Sequence, residues 1–533
     1  MAAINHVTLS EQVASHGRLY SQQLAIIEAP NTFELIGRQP LRLTWSAYDQ
    51  LVDRLVSGLL RAGLRVGDVF MVQLPNTAEL CALYVAASRM GAVISPVAVQ
   101  YSAYELRHFA SIVNPKVMIT TAAFREGELI TRAKTSDLPC AVLDVVDLQS
   151  EPLVDLPVDV DSPLEARGDR LLTLCWTSGT TGQPKPVPRT ETMWQVQARL
   201  TAEAAGYCMH ERWLVPFPLI NMAALGGFIF PAAQFAAELV LHHPLDPQLF
   251  LSQLKQEAVQ FTVAPPPLLN KLAAAPAMWE SCGINSLRAI GSGSAPLATE
   301  MIRTFEQNYG IPVINFYGSN EGIALYATPQ DTPKIEHRAH LFAHREDGAT
   351  PNFETQLRDP ESGARVVDPE QAGELVIRGP GVFAGYLGVD NSDVFTRDGW
   401  FRTGDLLALD ANLPSHYRIV GRIKDIINRG GFKIAPDEVD GLLTQLPGAL
   451  EAAVCSVPDA VLGERLCVCI VPEARDNPPQ LNDVIAFLEG FGLARLKLPE
   501  FLAVVESLPR NPLGKLVRPQ LSAQVAAQFE TQG

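Results

Sequence analysis

Cysteine, net positive charge and long apolar runs are scarce in this chain, and each shortage removes a class of protein. Eight cysteines are scattered through 533 residues, without a CxxC pair, which argues against a disulfide framework or a zinc ribbon. Cys455, Cys467 and Cys469 lie in apolar, strand-like runs and read as reduced core residues. A formal charge of −16 argues against nucleic acid or an acidic membrane surface as the main partner. No apolar run reaches about 18 residues, so no membrane span is expected. The first residues, "MAAINHVTLSEQVASHG", lack the charged-then-apolar layout of a secretory signal, and a cytoplasmic location is the expectation. With 47% hydrophobic and 19% charged residues, the chain can bury large cores and is not a disordered polymer.

What is present is a regular beat. Length suggests roughly three to four domain-sized units. Tyr48, Leu51, Val52, Leu55, Val56, Leu59 and Leu60 recur at helical spacing, and Ser46 with Asp49 reads as a capping-box start. Strand-like runs such as "VFMVQL", "AVISPV", "KVMIT", "WLVPF", "ELVLHH", "FTVA", "LRAIG" and "PVINFYG" alternate with helix-like segments. That alternation predicts α/β architecture, parallel sheets wound with helices on both faces, with ligands at the carboxyl ends of the strands. After about residue 350 the texture changes to short strands separated by polar, Pro- and Gly-bearing segments. Beyond "GRIKD" a small α+β domain is expected, with helices at 436–445 and 481–489 and strands near Val454, Val468 and Phe501.

One loop carries unusual chemistry. In "CWTSGTTGQPKPVPRT", residues 175–190, hydroxyls, glycines and a lysine follow an apolar strand. Between a strand and an expected helix, its N–H groups can converge on an anion, and glycine lets the backbone approach closely. The Walker pattern is absent, which counts against a P-loop enzyme. Four more segments follow: "FYGSNEG" (316–322), "FRTGDL" (401–406), "GRIKDIINRGGFKIAPDEVD" (421–440) and "LPRNPLGKLVR" (508–518).

In this order and spacing the segments resemble the adenylate-forming superfamily: acyl-CoA synthetases, aryl-acid AMP ligases, peptide-synthetase adenylation domains and luciferases. The resemblance runs from about Leu43 to Arg518. It implies a large N-terminal domain, 1–421, of doubly wound sheets plus a small β-barrel-like part. A hinge at 422–424 and a small mobile α+β domain, 425–533, would follow. It implies ATP, Mg2+ and coenzyme A as reaction partners of a small carboxylic acid. The acid would be joined to the α-phosphorus of ATP, and a thiol would then attack the mixed anhydride. The alternative acceptor is a carrier-protein phosphopantetheine, loaded by a stand-alone aryl-acid or fatty-acid AMP ligase. Nothing in the sequence favours luciferase-like oxygenation, and intact Lys515, Glu321 and Asp405 argue against a silent scaffold.

Carried over motif by motif, Thr177, Ser178, Gly179, Thr180, Thr181, Gly182 and Lys185 would cradle the β- and γ-phosphates. Tyr317 would stack on adenine beside Gly318 and Ser294, and Ser319 would bond the α-phosphate. Glu321 would hold Mg2+, Asp405 would accept the ribose hydroxyls, and Arg422 would lie against the ribose. Lys515 would bridge the substrate carboxylate and the α-phosphate. Asn221, Met222, Gly291, Ser292, Gly293, Gly322 and Ile323 would wall the acid pocket, with Ala324 nearby. These small or apolar residues suit an uncharged aromatic or medium aliphatic acid. Lys424 would be the pivot, and Gly430 and Gly431 would approach the thiol tunnel. Three departures stand out. Pro186 replaces the family's usual glycine, which costs little if the chain enters a strand there. Asn221 stands where the family often has histidine or an aromatic. Instead of a glycine-rich segment after "YGSNEG" comes "KIEHRAHLFAHRED", in which His337, His340 and His344 are expected to share a packed or solvated helix face.

Overall fold

The apolar runs become two wound sheets. The computed structural model describes residues 7–150, 153, 167–177, 184–293, 296–322, 324–344, 353–369, 371–430, 432–459, 461–511 and 514–529. The first sheet has six strands, in the order Ala141–Asp144, Val117–Thr120, Val69–Val72, Val93–Pro96, Leu171–Trp176 and Pro186–Thr190. The second has eight: Ala324–Ala327, Val313–Gly318, Ala289–Gly293, Phe261–Val263, Arg212–Val215, Glu238–Leu241, Leu24–Ile27 and Arg42–Thr44. Their interiors are parallel, and antiparallel strands close the edges next to the candidate site. One continuous core joins both sheets to helices Trp45–Arg61 and Ala78–Met90. The second of these helices is buried on nearly every side, as its all-round apolar sequence requires.

Two local expectations are corrected. Helix Trp45–Arg61 is capped by Thr44, whose extended backbone lets its hydroxyl accept the Ala47 N–H at 3.2 Å. Ser46 and Asp49 therefore lie inside the helix, and Asp49 pairs instead with Arg89 at 2.6 Å. The three histidines do not share a helix face, because the helix there is only Ile335–Arg338. His340 follows that helix, and His344 follows strand Leu341–Ala343, bonded to the Pro414 carbonyl at 3.0 Å.

A third, antiparallel sheet of five strands runs Leu341–Ala343, His416–Arg422, Phe401–Leu409, Gly373–Arg378 and Glu354–Arg358. The short turn Ile423–Asp425 leads from it into the small C-terminal sheet. There, Gly463–Pro472 pairs antiparallel with Ala449–Asp459 and parallel with Phe501–Val504. Side chains alternate across these strands. Val454, Val468 and Ile470 face helices Pro436–Leu443 and Leu481–Gly490, and Cys455, Cys467 and Cys469 face helix Arg518–Phe529. No helix among the described residues is long and apolar enough to cross a membrane.

Candidate active site

Both site loops of the large body are edge hairpins. The hydroxyl- and glycine-rich loop joins Leu171–Trp176 to Pro186–Thr190 in antiparallel register, so it leads into a strand, not the expected helix. Helix Glu191–Ala205 starts only after that strand. Pro186 opens the edge strand, where a missing N–H is tolerated. At the neck of the loop, the Thr177 N–H donates to the Lys185 carbonyl at 2.9 Å and the Lys185 N–H to the Thr177 hydroxyl at 3.0 Å. Ser178, Gly179, Thr180, Thr181 and Gly182 lie outside the described residues, as do Ser294, Ile323 and Gly431. The side chain of Ala324 does also.

The second hairpin, between Val313–Gly318 and Ala324–Ala327, carries the acidic motif. Asn320 pins it from both sides: its side chain donates to the Trp176 carbonyl at 2.9 Å and accepts the Met222 N–H at 2.8 Å. Arg189, wholly buried on the strand that leaves the first loop, donates to the Asn320 carbonyl at 3.0 Å and lies 4.4 Å from the Trp194 ring. Burial lowers its guanidinium to about 10, with Cys175 and Glu321 opposing that shift. The two hairpins are thus one mechanical unit.

Three groups meet in front of them. Tyr317 donates its hydroxyl to Asp405, and the Arg422 Nε donates to the other oxygen of that carboxylate at 2.7 Å. Asp405 is buried and faces Arg422 across paired strands. Its charge, ahead of the opposing effect of burial, raises the Arg422 pKa. A carboxylate has about four lone-pair positions, so two remain for hydroxyl donors. Glu321 accepts the Tyr386 hydroxyl at 2.7 Å, and the Lys185 ammonium lies 5.0 Å over the same ring. The segment bearing Tyr386 is tied to both hairpins, Phe383 N–H to the Glu321 carbonyl at 2.9 Å and Leu387 N–H to that of Pro186 at 3.2 Å.

The small body supplies the fourth group. Lys515 lies on a tight hairpin in which Gly514, at φ +81°, makes the turn and the Asn511 side chain accepts the Lys515 N–H at 3.0 Å. Burial and Arg422 lower the pKa of its ammonium, while Asp405 and Glu321 raise it. Arg422, Asp405 and Glu321 are thus the charges that act on this lysine through space. Lys424 is exposed in the linking turn, and Gly430 is exposed at φ +58°, bonded through its N–H to the Leu462 carbonyl at 2.7 Å.

The expected acid-pocket residues divide. Met222 is buried beneath Asn320. The Asn221 side chain caps the short helix Met222–Ala224, accepting the Ala224 N–H at 3.2 Å. Ser292 is wholly buried and donates to the Ala264 carbonyl at 2.8 Å, so its hydroxyl serves the sheet. Glycine is required at 291 and 293 because a Cβ would strike the Phe316 ring or carbonyl. At Gly322, φ is +115° and the Gly381 carbonyl stands where a Cβ would go.

The site fits a magnesium–nucleotide substrate. The Ser319 hydroxyl is buried without a partner among the described residues, as a donor awaiting a phosphate oxygen would be. A single carboxylate, Glu321, beside a lysine-bearing loop suits Mg2+, which binds through one or two carboxylates plus substrate phosphates. Sequence reasoning missed Arg189, Asn320 and Tyr386. The signal for Arg189 was a charge inside the apolar run "PVPRT"; Tyr386 and Asn320 gave none.

The AMP-binding enzyme family matches residues 25–387, and the AMP-binding enzyme C-terminal domain matches residues 438–515. A salicylyl-CoA synthase / salicylate adenylyltransferase of a Streptomyces species is 32% identical over 517 residues, covering 89% of this chain and 88% of that protein. A feruloyl-CoA synthase of an Amycolatopsis species is 31% identical over 487 residues, covering 89% and 92%. In fold, ATP-bound MatB from Rhodopseudomonas palustris superposes with a TM-score of 0.81 at 23% identity, covering 98% of this chain and 99% of that one.

Proposed function

The chain belongs to the AMP-binding enzymes, and on that premise we propose that it joins an aromatic acid to the thiol of coenzyme A through an acyl-adenylate. It is an AMP-forming acid–thiol ligase. The observation that carries the site reading is the buried Asp405 carboxylate held between the Tyr317 hydroxyl and the Arg422 guanidinium, to which the small body would bring Lys515.

Each half-reaction follows from charge. A carboxylate oxygen attacks the α-phosphorus of ATP, the bond to the β-phosphate oxygen breaks, and pyrophosphate leaves. Negative charge gathers between the acid and the α-phosphate, where the Lys515 ammonium and the Ser319 hydroxyl stabilise it. Asp405, held by Tyr317 and Arg422, fixes the ribose, and the Tyr317 ring fixes the base. Glu321 would hold Mg2+, which would supply positive charge to neutralise the phosphates. The thiol then attacks the acyl carbon, the bond to the AMP oxygen breaks, and the thiol proton leaves to solvent. Lys424 is the pivot that swings Lys515 away between the steps, with 425–533 moving as the small domain and Gly430 and Gly431 admitting the thiol.

An aromatic acid is favoured because Met222, Gly291, Gly293 and the Phe316 ring packed on Gly291 present no charge, and because the relatives named above act on salicylate and ferulate. The test is a panel of carboxylic acids assayed for pyrophosphate release, with CoA or with a phosphopantetheinyl carrier protein. Aromatic acids should give release and a CoA thioester. Loading of the carrier alone would transfer the proposal to the AMP-ligase acceptor, and no release with any acid would refute it.

A further inference from the structure

The small body holds three thiols that the ligase chemistry does not use. Cys455 and Cys467 are directly opposite on paired strands, and Cys469 lies two residues further along the same face. All three are free and wholly buried, and their sulfurs lie within 4.8 Å of one another. Cys455 Sγ and Cys469 Sγ are 3.6 Å apart. Three sulfurs around a trigonal ion with bonds of about 2.3 Å stand about 4 Å from each other. The triangle is already close to that size.

We propose that Cys455, Cys467 and Cys469 form a three-coordinate site for a soft monovalent cation of the copper(I) type, and that filling it suppresses adenylation through Lys515. Thiolates select soft ions. Structural zinc takes four ligands, and among the described residues no fourth thiol, imidazole or carboxylate joins the group. The walls are mostly apolar, formed by Ala453, Val457, Ala503, Leu508, Leu521 and Val525, with the Ser522 hydroxyl beside Cys455, which disfavours a hydrated divalent ion. Binding releases thiol protons to solvent. Arg518 donates to the carbonyl of Val454, the residue before Cys455, and so ties the start of the covering helix to the strand that bears the thiol.

The link to Lys515 is short. Helix Arg518–Phe529 covers the thiols through Leu521 and Val525. Its first residue, Arg518, is three positions beyond Lys515 and is paired with Asp437 at 2.7 Å and Asp440 at 2.9 Å. A close-packed core transmits small displacements. Spreading the sulfurs moves this helix and, with it, the hairpin that presents Lys515. This coupling rests on the adenylating role proposed for Lys515; the metal site does not. Because the thiols are sealed, loading requires the helix to lift, and its onset is slow.

The experiment titrates the full-length protein anaerobically with copper(I) held by a competing chelator. It follows thiolate-to-metal absorption, counts sulfur neighbours by X-ray absorption, and measures acid-dependent ATP–pyrophosphate exchange on the same samples. Expected are one ion per chain, three sulfur neighbours, and exchange that declines slowly as the site fills. Cys469→Ala should bind more weakly by about 100-fold or more, since even a supporting residue outside the ligand set is worth 10–100-fold, and its exchange should resist copper. Two sulfur neighbours, or absorption unchanged in Cys469→Ala, overturns the site. A full three-sulfur site with undiminished exchange overturns the coupling. Absence of exchange before any metal is added refutes the ligase reading and leaves the site to spectroscopy. If Cys469→Ala does not fold, the sulfur count on the unmutated protein decides.

Discussion

The two bodies bring charge to the site in different ways. In the large body the carboxylates are fastened: Asp405 by Tyr317 and Arg422, Glu321 by Tyr386, and the loop bearing Glu321 by Asn320 and Arg189. In the small body Lys515 is held, among the described residues, through the backbone hydrogen bonds of its hairpin. Among the described residues its ammonium has no hydrogen-bond partner, and its neighbours act on it through space. A fastened floor needs no reorganisation when charge develops, which is the condition for electrostatic catalysis. An unfastened lysine can be withdrawn without breaking bonds, which is the condition for a second step on the same floor.

The sharpest way to break this contrast is Lys515→Ala. Adenylate formation should fall by about 10²–10³-fold or more, as when a preorganised charge-stabilising donor is deleted. Thioester formation from supplied acyl-adenylate should change far less. Measuring both half-reactions on one preparation is the check, and near-normal pyrophosphate release would reduce Lys515 to a surface lysine.

A smaller and more selective effect is expected at the proposed pivot. Lys424 lies in the turn Ile423–Asp425, between the last strand of the third sheet and strand Ile427–Arg429. Proline at 424 fixes φ near −65° and restricts Ile423. Lys424→Pro should keep acid-dependent ATP–pyrophosphate exchange within about tenfold, a change of about 1.4 kcal/mol. Acyl-CoA production from adenylate should fall by much more. Equal losses would make Lys424 a structural residue and leave the lysine without a means of withdrawal.

The floor itself is tested more gently by Tyr386→Phe, which keeps the ring beneath Lys185 and removes the hydroxyl on Glu321. The freed carboxylate should need more Mg2+ for half-maximal exchange, by at most about tenfold, or about 1.4 kcal/mol, with kcat at saturating Mg2+ little changed. An unaltered Mg2+ requirement would show that Glu321 is fixed without Tyr386.

How much of this was legible depended on whether the signal was local. The strand–helix alternation and the small α+β body could be read because periodicity of two or 3.6 survives in any window. The loop after Trp176 was misjudged because prolines at 186 and 188 hide a strand, and only its place at a sheet edge lets it accept them. Thr44 outcompeted Ser46 as a cap because its backbone is extended while the helix has already begun at Trp45. The roles of Arg189, Asn320 and Tyr386 come from contacts across 65 to 144 positions of sequence, which no local pattern encodes. The cysteines share this limit: spacing gave no ligand motif, and only the register of two strands places Cys455 opposite Cys467.

The smallest expected effect, a displaced pH limb, asks whether Lys515 senses the floor at all. In the role proposed for Lys515, adenylation needs its ammonium protonated. Burial and the Arg422 guanidinium favour the neutral amine, whereas Asp405 and Glu321 favour the cation, and the balance lowers the pKa. A lowered pKa means that the proton is lost at lower pH than from a free lysine. The alkaline limb of ATP–pyrophosphate exchange should therefore lie below the ordinary lysine range, and thioester formation from supplied adenylate should lack that limb. The floor sets the direction of further change. Arg422→Gln removes a like charge and unmasks Asp405, so the limb should move up. Asp405→Asn removes an attractive charge, so it should move down. Both variants lose activity because they touch the nucleotide site, but the position of the limb is read from the shape of the pH profile at saturating substrate and not from its height. If the two substitutions leave it in place, the group titrating there is not a lysine facing Asp405 and Arg422, and the contrast between a fastened floor and a delivered charge fails.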